Sequence, residues 1–529
     1  MLQRVFGACP RGACLAAGLM LAVPSPDFPA HAQVPSSPCA DLPTPAGYGR
    51  PAVAIEGERP LLFVIVHFAD RKVVRSQGYY KALMFEPSRA TRTSVDGLYR
   101  AISAGRFGFT KAGIVEVLYP KSLEEAAKGS ALEYDRIVTK LTSQKFPMLD
   151  YDRNGDGVVD ERELVVVRVG PTAPGGTGQT RWHDSELLFQ VGARGAPRSY
   201  RFRGRTANLD EDVDISVFAH EIFHVLGFPD HIYGPRALND RASFFGGFSR
   251  KVASTDNRAI LLDPYHRLRS GWIAPRFAQI GRSGSVAVWA ASRQARSQEF
   301  GPVVLYHPAR CSNEFFMLEF RNNRDVNDNF APASGIAVWY VAKNTDHSLV
   351  KFRWPPPLTA ANVNASNFDM FATYLVGTRG PGDGPFLPSG PNEFEPVWGD
   401  GTPSGVRLEV NFDLRAAPPT ASVQWRPAGA PFEAVVGRAS VMPGVKIRGH
   451  VVTASGTFPA ARDGIVATLR PTRGAGQGVA LRIERMTVTE LRAHYDGRIE
   501  PGTYSLTLER GGARPVVSRS SPQAVLTVR

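Results

Sequence analysis

Residues 215–230 read ISVFAHEIFHVLGFPD, and this stretch decides which fold class the chain is predicted to have. On a helix that advances about 100° per residue, His220 and His224 lie on one side with Glu221 beside them. Apolar residues cover most of the remaining circumference, which is typical of a buried helix. The three polar side chains therefore need partners inside the protein.

A zinc ion is the partner that this spacing predicts. Two histidines four residues apart on a helix present two imidazole nitrogens to one metal at about 2.0–2.1 Å. Glu221 is placed to accept a proton from metal-bound water. Gly227 is predicted to end the helix and to turn the chain back beneath the metal. On these residues alone the third ligand stays open between Asp230, the adjacent His231 and a glutamate from a distant helix.

A second metal site is predicted in the acidic stretch DRNGDGVVDERE, residues 152–163. Gly157 occupies the sixth position of this loop, where an EF-hand turns sharply. Side-chain oxygens stand at positions one, three, five, nine and twelve, and a backbone carbonyl stands at position seven. The predicted Ca²⁺ ligands are Asp152, Asn154, Asp156, Val158, Asp160 and Glu163. Because a strand rather than a second helix follows, we expect a structural ion and not a sensor.

The first 32 residues have the pattern of a secretory signal peptide. Arg4 and Arg11 supply the charged start, ACLAAGLMLAV is a short apolar run, and AHA ending at Ala32 is a small-residue cleavage pattern. No later segment approaches about 20 continuous apolar residues, so no transmembrane segment is expected. The mature protein is predicted to be secreted, or periplasmic in a Gram-negative host.

Composition limits the number of domains and the class of partner. A chain of 529 residues with 43% hydrophobic content is expected to form two or more globular domains. The net charge of +13 comes from scattered arginines rather than one basic run, which argues against a nucleic-acid partner.

Changes of pattern along the chain predict the domain boundaries. A Pro-rich leader is expected over 33–59, and a catalytic domain that mixes strands and helices over 60–285. Strand-like runs between turn clusters predict a β-rich extension over 286–427 and a C-terminal β-sandwich over 428–529. In the extension, Glu319 and Arg321 share one face of a strand and predict a structural ion pair.

Only Cys39 and Cys311 would remain after loss of the signal peptide. In an oxidising compartment the two candidate states are a disulfide between them and two free thiols, and the sequence carries no distance information that decides between these states.

The motif HEIFHVLGFPD resembles the HExxHxxGxxD form of the metzincin signature, and the chain is similar to the immune inhibitor A family of secreted bacterial zinc endopeptidases. Further matches occur in the same order over roughly residues 60–425, among them PLLFVIVHFAD, LYRAISAGRFGF, YDRNGDGVVD, LDPYHRLRSGWIAP and EFFMLEFRNN. The resemblance implies an α+β, metzincin-like catalytic domain, with an immunoglobulin-like sandwich expected after it. It also implies zinc on His220, His224 and Asp230, and Glu221 as general base.

The chain departs from the family pattern beneath the predicted metal. Where the family has a methionine-containing turn, residues 243–248 read SFFGGF, with Phe244 or Phe245 in place of the methionine. Such a turn supplies a hydrophobic floor rather than a ligand, so an aromatic ring can substitute, although its larger volume can displace the site.

These observations predict a secreted zinc metalloendopeptidase that hydrolyses peptide bonds of protein or peptide substrates by Glu-assisted attack of zinc-bound water. The C-terminal domain is expected to bind a protein or a cell-envelope surface. Two alternatives are a catalytically inactive, peptidase-like binding protein and a zinc hydrolase of cell-wall amide bonds.

Overall fold

The structure of the chain is a computed structural model, which describes most of residues 44–528. The described ranges are 44–86, 93–127, 140–141, 143, 146–171, 178–190, 197–228, 243–245, 259–293, 300–353, 369–371, 373–377, 380–381, 386–387, 390–427, 432–443, 450–457, 465–472, 478–486, 490–497, 499–509, 516–520 and 525–528. The predicted signal peptide, Cys39, Asp230 and His231 lie outside these ranges.

A mainly parallel sheet forms the scaffold of the N-terminal region. Its strand order is β2-β1-β4-β6-β3, and β5 pairs antiparallel with β6. The apolar run PLLFVIVHF is rich in β-branched residues, as is typical of a buried strand, and it forms most of β1, in which Leu61 to Val66 are fully buried. The strands are β1 Gly57–Phe68, β2 Phe107–Tyr119, β3 Val158–Val159, β4 Val165–Gly170, β5 Gly178–Gln190 and β6 Pro197–Asp210.

Three short helices cover one face of this sheet. Residues of Gln77–Phe85, Val95–Ile102 and Ile215–Val225 share a core with the odd-numbered positions of β1, which places the histidine-bearing helix directly on the sheet. Ser94 caps the second helix by accepting a hydrogen bond from the Gly97 N–H at 3.0 Å. The helices are α1 Gln77–Phe85, α2 Val95–Ile102, α3 Leu123–Ala127, α4 Ile215–Val225 and α5 Pro264–Arg269. Single 3₁₀ turns lie at Met148–Tyr151, Ala291–Arg293 and Pro308–Arg310.

Two larger sheets and one strand pair follow in the middle of the chain. The first sheet has the order β15-β14-β11-β10-β9-β7, the second has the order β16-β17-β18-β8, and β12 pairs with β13. The strands are β7 Arg276–Gln279, β8 Gly284–Trp289, β9 Val303–Tyr306, β10 Glu314–Arg321, β11 Gly335–Ala342, β12 Lys351–Arg353, β13 Asp369–Phe371, β14 Thr373–Gly377, β15 Gly380–Pro381, β16 Gly390–Phe394, β17 Val406–Asp413 and β18 Thr420–Pro427.

A single eight-stranded sheet forms the C-terminal region. Its strand order is β25-β19-β20-β23-β22-β21-β24-β26. The two edges of the sheet lie close together, as the contact between β19, near one edge, and β26, at the other edge, shows. The strands are β19 Phe432–Pro443, β20 His450–Thr457, β21 Val466–Pro471, β22 Val479–Met486, β23 Glu490–Tyr495, β24 Gly502–Glu509, β25 Val516–Ser520 and β26 Val525–Val528. The sheet is a nearly closed barrel around its own apolar core.

The expected α+β, metzincin-like fold class is wrong. The structure is 45% strand and 16% helix, and its N-terminal sheet is a mainly parallel half-barrel. The long hairpin of β5 and β6 was not predicted, because Gly204 and Thr206 occupy buried positions on β6 and hide the apolar alternation.

The expected immunoglobulin-like sandwich is also wrong, because the C-terminal strands form one nearly closed sheet instead of two packed sheets. Strand alternation and turn spacing are the same in both architectures, and only the long-range pairing of the first and last strands distinguishes them.

A buried ionic network joins the N-terminal region to the middle sheets. Arg267 on α5 donates to the Glu319 carboxylate on β10 at 3.2 Å, and Arg321 donates to the other oxygen at 3.2 Å. Arg321 also donates from Nε to Asp328 at 2.7 Å. All four side chains are fully buried, and the Trp339 indole N–H donates to Glu319 at 3.0 Å. The predicted Glu319–Arg321 ion pair is confirmed.

None of the helices in the described ranges is long and apolar enough to span a membrane. Cys311 is disulfide-bonded and 8% exposed. Its expected partner Cys39 lies outside the described residues, so that pairing stays a prediction.

Candidate functional site

Helix α4 carries the candidate metal ligands. It begins after Asp214, whose carboxylate accepts the Val217 N–H at 3.0 Å and so caps the helix. It ends before Gly227, whose φ of +104° is the left-handed conformation that commonly terminates a helix. Nearly all of its side chains are buried, as the apolar circumference predicted.

The two histidines of α4 face each other. Their Nε2 atoms lie 3.1 Å apart, and the two rings meet edge to face with centroids 4.7 Å apart. The Nδ1 atom of His220 lies 2.9 Å from the backbone carbonyl of Phe244, and that of His224 lies 2.7 Å from the carbonyl of Phe228. Each ring is therefore held from behind by a main-chain oxygen.

These contacts determine the chemistry of the facing nitrogens. A carbonyl oxygen only accepts, so each Nδ1 carries the proton and each neutral ring presents Nε2 as an acceptor. Two acceptors 3.1 Å apart repel each other unless a proton or a cation lies between them. Two nitrogens bound to one tetrahedral zinc at about 2.0–2.1 Å would stand roughly 3.3 Å apart, so the observed pair fits zinc.

Glu221 lies next to this pair on the same helix and is 7% exposed. The sequence predicted that Glu221 lies on the same helix as the two histidines, and the structure has all three residues on α4.

Two neighbouring side chains hold the helix backbone in place. The Tyr99 hydroxyl, on α2, donates to the Ala219 carbonyl at 2.8 Å. Burial raises the pKa of Tyr99, which keeps this hydroxyl protonated as a donor. Arg205, on β6, donates from Nη1 to the His224 carbonyl at 3.0 Å. Sequence reasoning missed both residues, since nothing local relates them to α4.

The turn at residues 243–245 forms the floor of the site. The Phe245 ring lies 5.1 Å from the His220 ring and 5.0 Å from the His224 ring, between centroids, and it is fully buried. Phe244 contributes its carbonyl to His220, while its ring packs towards Tyr99. Of the two phenylalanines considered for the floor, Phe245 is therefore the one that contacts both histidines.

A buried polar cluster supports this turn, and sequence reasoning did not identify it. The Ser243 hydroxyl accepts the N–H groups of Phe245 and Asp263, each at 3.2 Å, and donates to the Asp263 carboxylate at 3.3 Å. Asp263 caps α5 and receives the His266 Nδ1–H at 2.9 Å. The signal was present as LDPYH, because an Asp directly before a Pro marks a helix start.

The acidic loop is organised by its own carboxylates. Asp152 accepts the N–H groups of Gly155 and Gly157 at 2.8 and 3.0 Å, and Glu163 folds back to accept that of Arg153 at 2.8 Å. Both glycines have positive φ, as the predicted sharp turn requires. The loop leads into β3, which pairs in parallel with Arg201 and Phe202 of β6.

Not every predicted ligand is brought together. In the described part of the chain, no group of three or more His, Cys, Asp or Glu side chains is arranged to hold a metal ion. The third proposed zinc ligand, Asp230, lies outside that part. In the acidic loop, side chains of the predicted Ca²⁺ ligands hydrogen-bond within the loop, as those of Asn154 and Asp156 do. Two of the predicted Ca²⁺ ligands, the Asn154 amide and the Val158 backbone carbonyl, are not carboxylates.

Comparison of the chain with models of known protein families and with curated proteins finds no match.

Proposed function

We propose that this protein is a secreted zinc-dependent endopeptidase. The observation that carries the proposal is the facing pair of Nε2 atoms on His220 and His224, each ring fixed by a main-chain carbonyl on its other nitrogen. Hydrogen bonds of this kind orient metal-binding histidines and raise their basicity. His220, His224 and Asp230 would hold the ion.

A zinc ion bound there would supply Lewis acidity towards a water molecule and the scissile carbonyl. Glu221 would accept the proton of the attacking water and deliver it to the leaving amine. The low exposure of Glu221 and the apolar Phe245 floor keep bulk water from screening these charges. Tyr99 and Arg205 would keep the helix from shifting as the proton moves.

Protein or peptide substrates are proposed from the sequence resemblance to the immune inhibitor A family. We also propose that the loop from Asp152 to Glu163 binds Ca²⁺ as a structural ion. Support comes from the complete EF-hand spacing and from the positive φ of Gly155 and Gly157.

The decisive experiment measures zinc content and casein cleavage for wild type, Glu221→Ala and His220→Ala. Glu221→Ala should retain zinc and lose cleavage by about 10²–10⁴-fold, the usual contribution of a general base. His220→Ala should lose zinc as well. The exposed Glu86→Ala is the matched control, because it removes a carboxylate that lies outside α4 and should change neither quantity.

Other outcomes would replace the proposal. A wild-type protein without zinc overturns it. A zinc-loaded protein that is inert on casein and unaffected by Glu221→Ala is a binding protein. Cleavage of peptidoglycan but not of casein identifies a hydrolase of cell-wall amide bonds.

A further inference from the structure

A polar cleft lies on the C-terminal barrel, remote in sequence from the candidate metal centre. Its volume is about 540 Å³, within the range of about 300–1,000 Å³ that is usual for ligand sites. The residues that line it are Ala439, Ser440, Thr453, Ala454, Ser455, Arg485, Glu490, Leu491 and Arg492.

Strand register aligns the polar side chains of the cleft across four strands. Ser440 of β19 stands opposite Thr453 of β20, Thr453 opposite Arg492 of β23, and Arg492 opposite Arg485 of β22. In the next row, Ser455 stands opposite Glu490. The row therefore runs from hydroxyls at one side to guanidinium groups at the other.

The two arginines form an unfavourable pair as they stand. Like charges directly opposite on neighbouring strands repel, because their Cβ atoms are only about 4.5–5.5 Å apart. Arg492 is partly compensated by Glu484, at 3.1 Å, which a bulge in β22 brings alongside it. Arg485 is exposed and forms no ion pair with another residue in the described part of the chain. An anion between the two guanidinium groups would remove the repulsion and accept from both.

The other residues that line the cleft indicate the chemical class of the molecule that carries the anionic group. The charges of Arg485 and Arg492 are balanced by those of Glu484 and Glu490, so the cleft suits a singly charged carboxylate better than a dianionic phosphate. The Ser440 and Thr453 hydroxyls hydrogen-bond to each other at 2.7 Å and, with Ser455, retain further donor and acceptor positions that suit sugar hydroxyls. The lining residues include no aromatic ring on which a nucleic-acid base could stack.

We propose that this cleft binds a carboxylated saccharide, with its carboxylate between Arg485 and Arg492 and its hydroxyls on the serine and threonine side. The site would attach the protein to an acidic polysaccharide. This inference is independent of the metal centre, and Glu221→Ala should bind the saccharide as wild type does.

The test is calorimetric titration of the full-length chain with galacturonic acid oligomers, using neutral galactose oligomers and inorganic phosphate as comparison ligands. Wild type should bind only the acidic oligomer. Arg485→Gln should weaken binding by about tenfold or more, since a charge-assisted pair is lost. The matched control is Arg482→Gln, an exposed arginine on the same strand that does not line the cleft.

Thermal unfolding of each variant separates loss of binding from loss of structure. The proposal is overturned if wild type does not bind the acidic oligomer, or if folded Arg485→Gln binds it as tightly as wild type. Equal binding of neutral oligomers or of phosphate also overturns it, because the carboxylate or the sugar would then not be recognised.

Discussion

At the residue scale, Phe245 fixes the shape of the space beneath the histidines. Its ring lies 5.1 and 5.0 Å from the two imidazoles, between centroids, whereas the Phe244 ring packs towards Tyr99 and Phe223 and its carbonyl serves the site. Both rings are fully buried, so the two positions allow a matched comparison.

We expect Phe245→Leu and Phe244→Leu to cost similar stability, about 1 kcal/mol each in denaturant unfolding, because each exchanges one buried apolar side chain for another. Zinc affinity should fall only in Phe245→Leu, since only that change removes the surface against which the two imidazoles rest. Competition with a chelator measures the affinity. Equal zinc affinity in the two variants would show that the ring has no part in holding the ligands.

The residues that the sequence predicted best are those related by local geometry. His220, Glu221 and His224 are fixed relative to one another by the helical repeat alone. Tyr99 and Arg205 approach α4 from residues 120 and 19 positions away from their partners, and no spacing rule connects them. The contact between Ser243 and Asp263 spans 20 positions and was missed for the same reason, although LDPYH marks Asp263 as the start of a helix.

At the scale of elements, the turn at 243–245 is tied to the start of α5 through the Ser243 hydroxyl. Ser243→Ala should destabilise the protein by about 1–3 kcal/mol, because two buried N–H groups lose their acceptor. It should also weaken zinc binding, since the Phe244 carbonyl that orients His220 belongs to this turn. Denaturant unfolding and chelator competition measure the two effects.

The control for that change is Ser292→Ala. The Ser292 hydroxyl is also buried, but it has no hydrogen-bond partner among the described residues, so its removal should leave stability within about 0.5 kcal/mol. If Ser243→Ala were as mild as Ser292→Ala, the turn would be held by its packing and not by the hydroxyl.

The acidic loop is the second element with a testable property. Ca²⁺ at about ten times its dissociation constant should stabilise the protein by about 1.4 kcal/mol if it binds only the folded chain. Thermal unfolding with Ca²⁺ and with a chelator measures this stabilisation.

Glu163→Gln should abolish the difference between the two unfolding curves, because the ligand at the twelfth loop position loses its charge. The exposed Asp150→Asn, just before the loop, should keep it. A calcium response that survives Glu163→Gln would place the ion elsewhere.

At the scale of the whole molecule, the pairing of strands that are far apart in the chain decides the architecture. Local sequence patterns predict the strands but not this pairing. Strand β1 is recognisable because its buried positions are continuous and apolar. The near-closure of the C-terminal sheet depends on the last two strands, β25 and β26, both lying against the first strand, β19, which is about 80 positions away in the chain. No local pattern distinguishes that pairing from a two-sheet sandwich, and for this reason the expected fold class failed where the individual strands did not.

The buried ionic network links the N-terminal region to the middle sheets. Arg267 donates to the Ile102 carbonyl at the end of α2 as well as to Glu319 on β10, so a single side chain spans both regions. Replacing it leaves a buried carboxylate with fewer donors. Breaking a buried ion pair from one side costs far more than breaking an exposed one.

We therefore expect Arg267→Met to destabilise the protein by about 3–5 kcal/mol in denaturant unfolding. The matched control is Arg470→Met, which removes an exposed pair with Glu509 at 2.8 Å and should cost no more than about 1 kcal/mol. Arg267→Met should also lower zinc affinity, because α5 carries the support of the 243–245 turn. Equal costs for the two arginines would mean that Glu319 is compensated well enough by Arg321 and Trp339, and that the regions are joined by apolar packing instead.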